Sequence, residues 1–270
     1  GNLGDVSQRL LEVLNEVDLI AAEDTRRTLQ LLNHFGITKA LTSYHEHNKK
    51  AKGEYIIKLL NEGKNVAQVS DAGTPAISDP GEDLVKLCIE NGITVTSVPG
   101  PVAGITALIL SGLPAARYAF EGFLSVNKRH RYEHLNSVKN DTHTLIFYEA
   151  PHKLRTTLND MRDIFGGERR IALARELTKV HEEIIRTTIN GAIELYSEKS
   201  PRGEYVIVVE GADADKAEAE EEAFWSGMSI CEHVDKYISE GMDRKEAVKK
   251  AAADRGIPKR DVYNEYHKEK

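Results

Sequence analysis

Two clusters of charged residues stand where an α/β fold puts its chemistry. Glu23-Asp24-Thr25-Arg26-Arg27 closes an apolar run that begins at Val17, and Ala174-Arg175-Glu176-Leu177-Thr178-Lys179 closes another that begins at Arg170. Carboxylates and cations at the carboxyl end of a strand face the crevice in which open α/β sheets hold ligands. The same residues have a plainer use. Asp24 or Thr25 can cap the helix that follows, and an exposed Arg–Glu pair contributes little. Ser43-Tyr44-His45-Glu46-His47-Asn48 gathers polar groups as a substrate-facing loop would. Its His-x-His pair has no third ligand at useful spacing, so no metal site is expected. No Ser/His/Asp or Cys/His arrangement marks a covalent nucleophile.

A second kind of feature offers backbone rather than side chains. Ser70-Asp71-Ala72-Gly73-Thr74-Pro75-Ala76-Ile77-Ser78-Asp79-Pro80-Gly81 follows the apolar run Val66–Val69 and precedes a helical stretch from Glu82. Its side chains are too small to fill space, so the main chain can approach a bound molecule. It has no lysine after its glycines and no G-x-G-x-x-G, which excludes a P-loop and a Rossmann dinucleotide site. The plain alternative is a tight turn with Asp79 as a cap. Val98-Pro99-Gly100-Pro101-Val102-Ala103-Gly104 repeats the theme, and two such turns suggest one small-molecule cleft. Tyr148-Glu149-Ala150-Pro151-His152 is a further strand-to-helix junction. Lys128-Arg129-His130-Arg131 opens a helix, where acids are normally favoured. A basic run there points to a phosphate-rich partner, against the usual reading of a solvated face.

The elements that must hold these residues alternate. Val17–Glu23, Val66–Ser70 and Ile93–Val98 read as strands, the second as a buried one. Val6–Asn15, Thr25–His34, Asn48–Asn61 and Gly81–Glu90 read as helices between them. Such alternation implies a largely parallel sheet over residues 1–113. The pattern opens on a helix where a buried strand is usual, so a strand is expected to be missing before Gly1. A second block, 114–211, has strand candidates at Thr144–Tyr148, Arg170–Ala174, Ile184–Ile189 and Glu204–Val209. Helices fit Lys128–Lys139, Pro151–Phe165 and Gly191–Glu198, with Pro151 suited to a first helical position.

Composition bounds the class. The 270 residues carry a net charge of -7, in the proportions of a globular protein. No run approaches the ~18–20 apolar residues of a membrane span, no signal peptide is visible, and two distant cysteines fit a reducing cytoplasm. The charge is unevenly spread. Residues 211–222 hold six acids against one lysine, so 212–226 reads as an acidic linker. From Asp243 to Lys270 there are nine Lys/Arg against six acids. Ile230–Glu240, Asp243–Asp254 and Pro258–Lys268 read as three short helices within 227–270. They form a unit like a helix-turn-helix module or a merely solvated cap.

These motifs, in order, resemble the bacterial 16S ribosomal RNA (cytidine 2′-O)-methyltransferase family, a branch of the tetrapyrrole methylase superfamily. The resemblance rests on Gly1–Asp5, Ala22–Arg26, His45–Asn48, Ser70–Gly81, Pro99–Pro101, Ser111–Pro114, Glu121–Leu124, Phe147–His152 and Ala174–Lys179. It implies two α/β domains of the tetrapyrrole methylase type, a cleft between them for S-adenosylmethionine, a small carboxyl-terminal helical domain, and homodimers. The implied reaction is 2′-O-methylation of a decoding-centre cytidine in 16S rRNA of the small ribosomal subunit. By position, cofactor contacts fall to Asp71, Ala72, Gly73, Thr74, Pro75, Ala76, Pro99, Gly100, Val102 and Ala103. The second domain would add Tyr148, Glu149, Ala150, Ala174, Gly203 and Glu204. Relatives open with an apolar strand before the Gly-Asn and often carry Pro near Ser125–Lys128, and this sequence departs at both places.

Methyl transfer to a ribose hydroxyl needs alignment of the oxygen with the methyl–sulfur axis and an exit for the proton. Asp24, Glu23, Glu176 and Lys179 are the candidates for that exit or for steadying alkoxide character. Asn2, Arg26, His45, His47, Lys128, Arg129, Arg131 and Arg175 are the candidates for holding RNA. Two other readings compete. One is methylation of a tetrapyrrole or other small molecule; the other is a non-catalytic RNA-binding protein on this fold.

Overall fold

The computed structural model describes residues 2–214 and 225–268. Gly1 and residues 215–224, the bulk of the expected acidic linker, lie outside the described residues. Two compact units emerge, one of residues 1–137 with 143–210, the other of 138–142 with 211–270.

The first unit contains two sheets. In the first, β1 (Leu19–Ala22) is central, with β2 (Ala40–Ser43) and β3 (Val66–Val69) parallel on either side. All four residues of β1 are buried. Successive side chains of a strand point to opposite faces, and the core follows. Ile20 packs with Leu14, Leu32 and Ile37, while Ala21 packs with Tyr44, Ile56, Leu84 and Cys88. Helices α1 (Gln8–Glu16) and α2 (Thr25–His34) therefore cover one face, and α3 (Lys49–Asn61) and α4 (Gly81–Glu90) the other.

β3, expected to be buried, is only half-buried, because it pairs with β1 alone and stands at the sheet edge. Ile93–Val98 is not a strand. Among the described residues no strand pairs with it, and Val95 is exposed. Its β-branched composition suits a sheet, but a strand exists only where a neighbour supplies the ladder.

The second sheet is mixed, in the order β4 (Tyr118–Phe123), β5 (Thr144–Glu149), β8 (Tyr205–Val209), β6 (Arg170–Arg175), β7 (Glu183–Thr188). Only β4 and β5 run parallel. Helix α5 (Ala103–Ser111) leaves the parallel-sheet half and packs on this second sheet. Ala107 and Leu108 meet Ile146, Ala172 and Val206. α5 is apolar around most of its circumference, although its buried residues, Gly104, Ala107, Leu108 and Ser111, form one stripe and Ile109 is exposed. Helices α6 (Lys128–Ser137), α7 (Pro151–Phe165) and α8 (Ile189–Glu198) complete the layer, with Pro151 at the first turn as expected. Two strands, β2 and β4, and one helix, α5, were not foreseen from the sequence.

In the second unit three helices, Ile230–Ser239, Arg244–Asp254 and Lys259–Lys268, enclose Val234, Ala247, Val248, Ala251, Val262 and Tyr266. Asp243 caps the middle helix by accepting from the amides of Lys245 and Glu246, as its position predicts. Among the described residues no helix is long and apolar enough to cross a membrane.

Candidate functional site

The carboxyl ends of β1 and β3 stand side by side in the parallel sheet, with Ala22 opposite Val69. The loops leaving them interlock. The Asp24 amide donates to Asp71 Oδ1 at 3.1 Å, and Arg27 Nη1 pairs with Asp71 Oδ2 at 2.9 Å. Asp24 is also the N-cap of α2. Its Oδ1 accepts from the Arg26 amide at 2.9 Å, and the Arg26 guanidinium grips both carboxylate oxygens at 3.0 and 2.7 Å. Those bonds hold the Asp24 carboxyl down at about 2. A carboxylate stabilised to that extent is a poor proton acceptor at neutral pH. Glu23 beside it is half-buried and makes no hydrogen bond or ion pair with any described residue.

The two small-residue turns meet. The Thr74 amide and hydroxyl both donate to the Pro101 carbonyl, at 3.0 and 3.2 Å. A Cβ on Gly73, where φ is +82°, would stand 3.1 Å from that same oxygen. Only glycine combines this φ with this approach. The second turn then reaches the mixed sheet, where the Gly104 amide donates to the Tyr148 hydroxyl at 3.0 Å. Phe120 and Phe123 of β4 stand edge-on to the Tyr148 ring, at 5.0 and 5.5 Å. Burial pushes the phenol up from its ordinary value, so it stays neutral. Phe120 and Phe123 were not expected at the site; Tyr118 and Phe120 alternate as in a strand, but Phe123 is three residues from Phe120, across a bulge between Phe120 and Gly122 that periodicity does not reveal.

The Ala174–Lys179 loop forms a second cluster. Glu176 Oε1 receives Lys179 Nζ at 3.3 Å, and a Cβ on Gly203, at φ +72°, would sit 2.8 Å from the same oxygen. Arg175 is held by Glu183 at 2.6 Å. Asn2 Nδ2 donates to the Thr178 carbonyl at 3.1 Å, while its neighbour Leu3 lines a groove of about 290 Å³ with Arg27, His34, Ser70 and Asp71. The segment at Asn2–Leu3 thus bonds to the second cluster and shares a groove with the first. Of the expected cofactor residues only Asp71 lines this groove.

Strain falls on the same two loops. Every described non-glycine residue with a left-handed φ lies in them: Ala76 (+67°), Ser78 (+62°), Glu176 (+51°) and Thr178 (+66°). Each such residue costs of order 1–3 kcal/mol and persists where surrounding contacts over-determine it, commonly at ligand sites.

Other expected site residues have different surroundings. Glu149 is buried, and its carboxylate is used locally, accepting from the Ala150 amide at 2.8 Å and the Thr157 hydroxyl at 2.6 Å. Asp79 accepts from the Gly81 amide at 2.7 Å, beside the start of α4. Arg131 corrects the reading of the basic run. It is buried, paired with Asp160 at 2.6 Å, and donates to the carbonyls of Ser125 and Val126. The run therefore presents Lys128, Arg129 and His130 to solvent, and not Arg131. His45 donates its amide to Asn48 and has a buried Nδ1 without a hydrogen-bond partner. Among the described residues no hydrogen bond or ion pair links His45, His47, Lys128 or Arg129 to either loop cluster, and no His/Cys/Asp/Glu group has a metal-holding arrangement.

Comparison with known proteins adds a family to this geometry. Residues 1–192 match the family described as Tetrapyrrole (Corrin/Porphyrin) Methylases. Over its whole length the chain is 50% identical to 92% of the ribosomal RNA small subunit methyltransferase I of Halalkalibacterium halodurans. Over 99% of its length it is 48% identical to 91% of the protein of that name from Bacillus subtilis. Among solved structures the methyltransferase CobJ matches 78% of this chain and 90% of its own, with a TM-score of 0.59 and 17% identity. Diphthine synthase gives the same TM-score at 13% identity, over 78% of this chain and 86% of its own. These two likenesses concern the fold alone.

Proposed function

The chain belongs to the tetrapyrrole (corrin/porphyrin) methylase family and is a methyltransferase, and from that premise we propose that it methylates the ribose 2′-hydroxyl of a decoding-centre cytidine in 16S rRNA of the small ribosomal subunit. The observation that carries this reading is the end-to-end identity of about half with relatives named for small-subunit ribosomal RNA methylation. The proposed setting is the cytoplasm, and the proposed assembly a homodimer.

The methyl donor in this reading is S-adenosylmethionine. The residues present fit it in one respect that can be read directly. The 71–76 loop offers backbone groups at small residues, and Gly73 has no room for a side chain against Pro101. Asp71, Ala72, Gly73, Thr74, Pro75 and Ala76, with Pro99, Gly100, Val102 and Ala103, would hold it from one half. Tyr148, Glu149, Ala150, Ala174, Gly203 and Glu204 would hold it from the other. When bound, it supplies an already activated sulfonium methyl group.

The chain's own residues have three tasks. They orient the ribose, keep water from the methyl group and accept one proton. Glu23 is the proton acceptor we favour, because Asp24 is committed to Arg26 and to capping α2. Glu176 is partly engaged by Lys179, and that ammonium group is suited to steady alkoxide character on the attacking oxygen. Asn2, Arg26 and Arg175 stand at these loops to hold flanking phosphates.

Transfer of a labelled methyl group to isolated small subunits, followed by mapping of the modified nucleotide, tests the proposal. A single 2′-O-methylated cytidine is the expected product. Label on a base, or on added tetrapyrrole with none on the subunit, would overturn it.

A further inference from the structure

We infer that the outward half of the last helix, Lys259–Lys268, is a face that binds RNA, through phosphates and one stacking contact. The inference rests on the reading of ribosomal RNA as substrate and assigns part of its binding to a specific surface.

Burial fixes which side of this helix faces out. Val262 and Tyr266 are its buried residues, a single stripe four apart against the other two helices. At 100° per residue, the positions away from that stripe sort by chemistry. Going round the helix, Lys259, Tyr263, His267, Arg260, Asn264 and Lys268 follow one another over half its circumference, and Asp261 and Glu265 occupy the remaining flank. All eight are exposed. A helix that needed only solvation would gain from alternating its charges, since opposite charges four apart support a helix and like charges oppose it. Here the acids Asp261 and Glu265 stand four apart, and the two cations that open the helix stand together.

Those cations are available. Neither Lys259 nor Arg260 forms an ion pair with any described residue. The preceding helix extends the same surface. Arg244 Nη2 lies 3.4 Å from His267 Nδ1, and its guanidinium sits 4.9 Å over the Tyr266 ring. An aromatic ring stands within the basic arc. Tyr263 is 51% exposed, edge-on to His267 with ring centres 4.3 Å apart. A half-exposed ring among cations and an amide is the composition of a single-strand platform, on which a base stacks while the cations follow the backbone. In the turn before the helix Gly256 takes φ +61°, and Pro258 precedes the first helical residue.

The test uses the full chain. Binding to isolated small subunits, to a single-stranded 16S rRNA fragment and to duplex DNA of equal length is measured across a salt series. The proteins are the wild type, Lys259→Ala/Arg260→Ala, Tyr263→Ala and Asp261→Asn/Glu265→Gln, with helix content checked by circular dichroism. The lysine–arginine double variant should lose about tenfold in RNA affinity and flatten the salt dependence by about one to two charges. Tyr263→Ala should lose about tenfold with the salt slope kept. The acid-flank variant should bind as tightly as wild type or more tightly. Unchanged affinity and slope in both basic and tyrosine variants, while wild type binds and methylates subunits, would overturn this inference and leave the proposed function standing. Equal loss on duplex DNA would overturn the assignment to RNA. A wild type that neither binds nor methylates subunits would overturn the proposed function, and this inference with it.

Discussion

The Gly104 amide and the Tyr148 hydroxyl, 3.0 Å apart, form a hydrogen bond between the first turn of α5, which leaves the parallel-sheet half, and the carboxyl end of β5 in the mixed sheet. The fit is close, because a Cβ on Gly104 would already be 3.4 Å from that hydroxyl. Tyr148→Phe keeps the ring and its contacts with Phe120 and Phe123 but leaves the amide without its acceptor. The expected cost is roughly 1–3 kcal/mol of stability, with weaker donor binding by calorimetry. Wild-type values for both would show that the bond does not organise the site.

Gly73→Ala is expected to abolish donor binding at concentrations that saturate the wild type. The added methyl group meets the Pro101 carbonyl at 3.1 Å, in a backbone conformation at φ +82° that alanine resists. Denaturant melts should show a loss of about 1–3 kcal/mol. A variant that binds the donor normally would remove this loop from the proposed cofactor site.

Glu23→Gln is expected to lower kcat by roughly a hundredfold or more, within the range that general base catalysis supplies, while KM for the small subunit changes little. Single-turnover methyl transfer separates the two. A KM effect alone would make Glu23 a substrate-binding residue.

Asp24 contributes to the pH dependence of stability. Its folded carboxyl is held at about 2 against an ordinary 3.8, mainly by its hydrogen bonds with Arg26. A depressed folded value means that the ionised form favours the fold. The contribution is complete above about 4 and is lost as the pH falls towards about 2. Asp24→Asn should therefore flatten the stability curve in that window. An unchanged slope there would show that the pair with Arg26 does not persist in solution.

Arg131→Met is expected to destabilise the chain by about 3–5 kcal/mol, because it leaves the buried Asp160 carboxylate without its partner. Arg131→Met with Asp160→Leu should recover most of that loss in urea melts. A single variant as stable as wild type would mean that the pair is not buried in solution.

The fold was legible where local chemistry decides it. α2, α4 and α7 were expected at Thr25–His34, Gly81–Glu90 and Pro151–Phe165 and lie at those bounds, because periodicity and terminal residues act within a turn or two. Strands were less legible. β2 is four residues long with no strong β-forming run, and it exists because β1 lies beside it. Ile93–Val98 has the better composition and no partner. α5 lacked a polar face to give it a helical period, since its uncovered side also carries apolar residues such as Ile109.

The candidate site divides along the same line. Residue order alone sets which residue types stand at the ends of strands: the small-residue turns, the Glu23–Arg27 and Ala174–Lys179 clusters, and the order of motifs that carries the family. Those are properties of the chain as written. Packing in the folded chain sets what each group has left to offer. Asp24 and Asp71 are bound to each other's loop and to arginines, Glu149 serves its own helix start, and Arg131 turns inward to Asp160 while its neighbours face water. A side chain's free valence depends on what packs within about 3 Å of it. Those partners come from 29 residues away for Arg131 and 47 for Asp71, a separation that only folding closes.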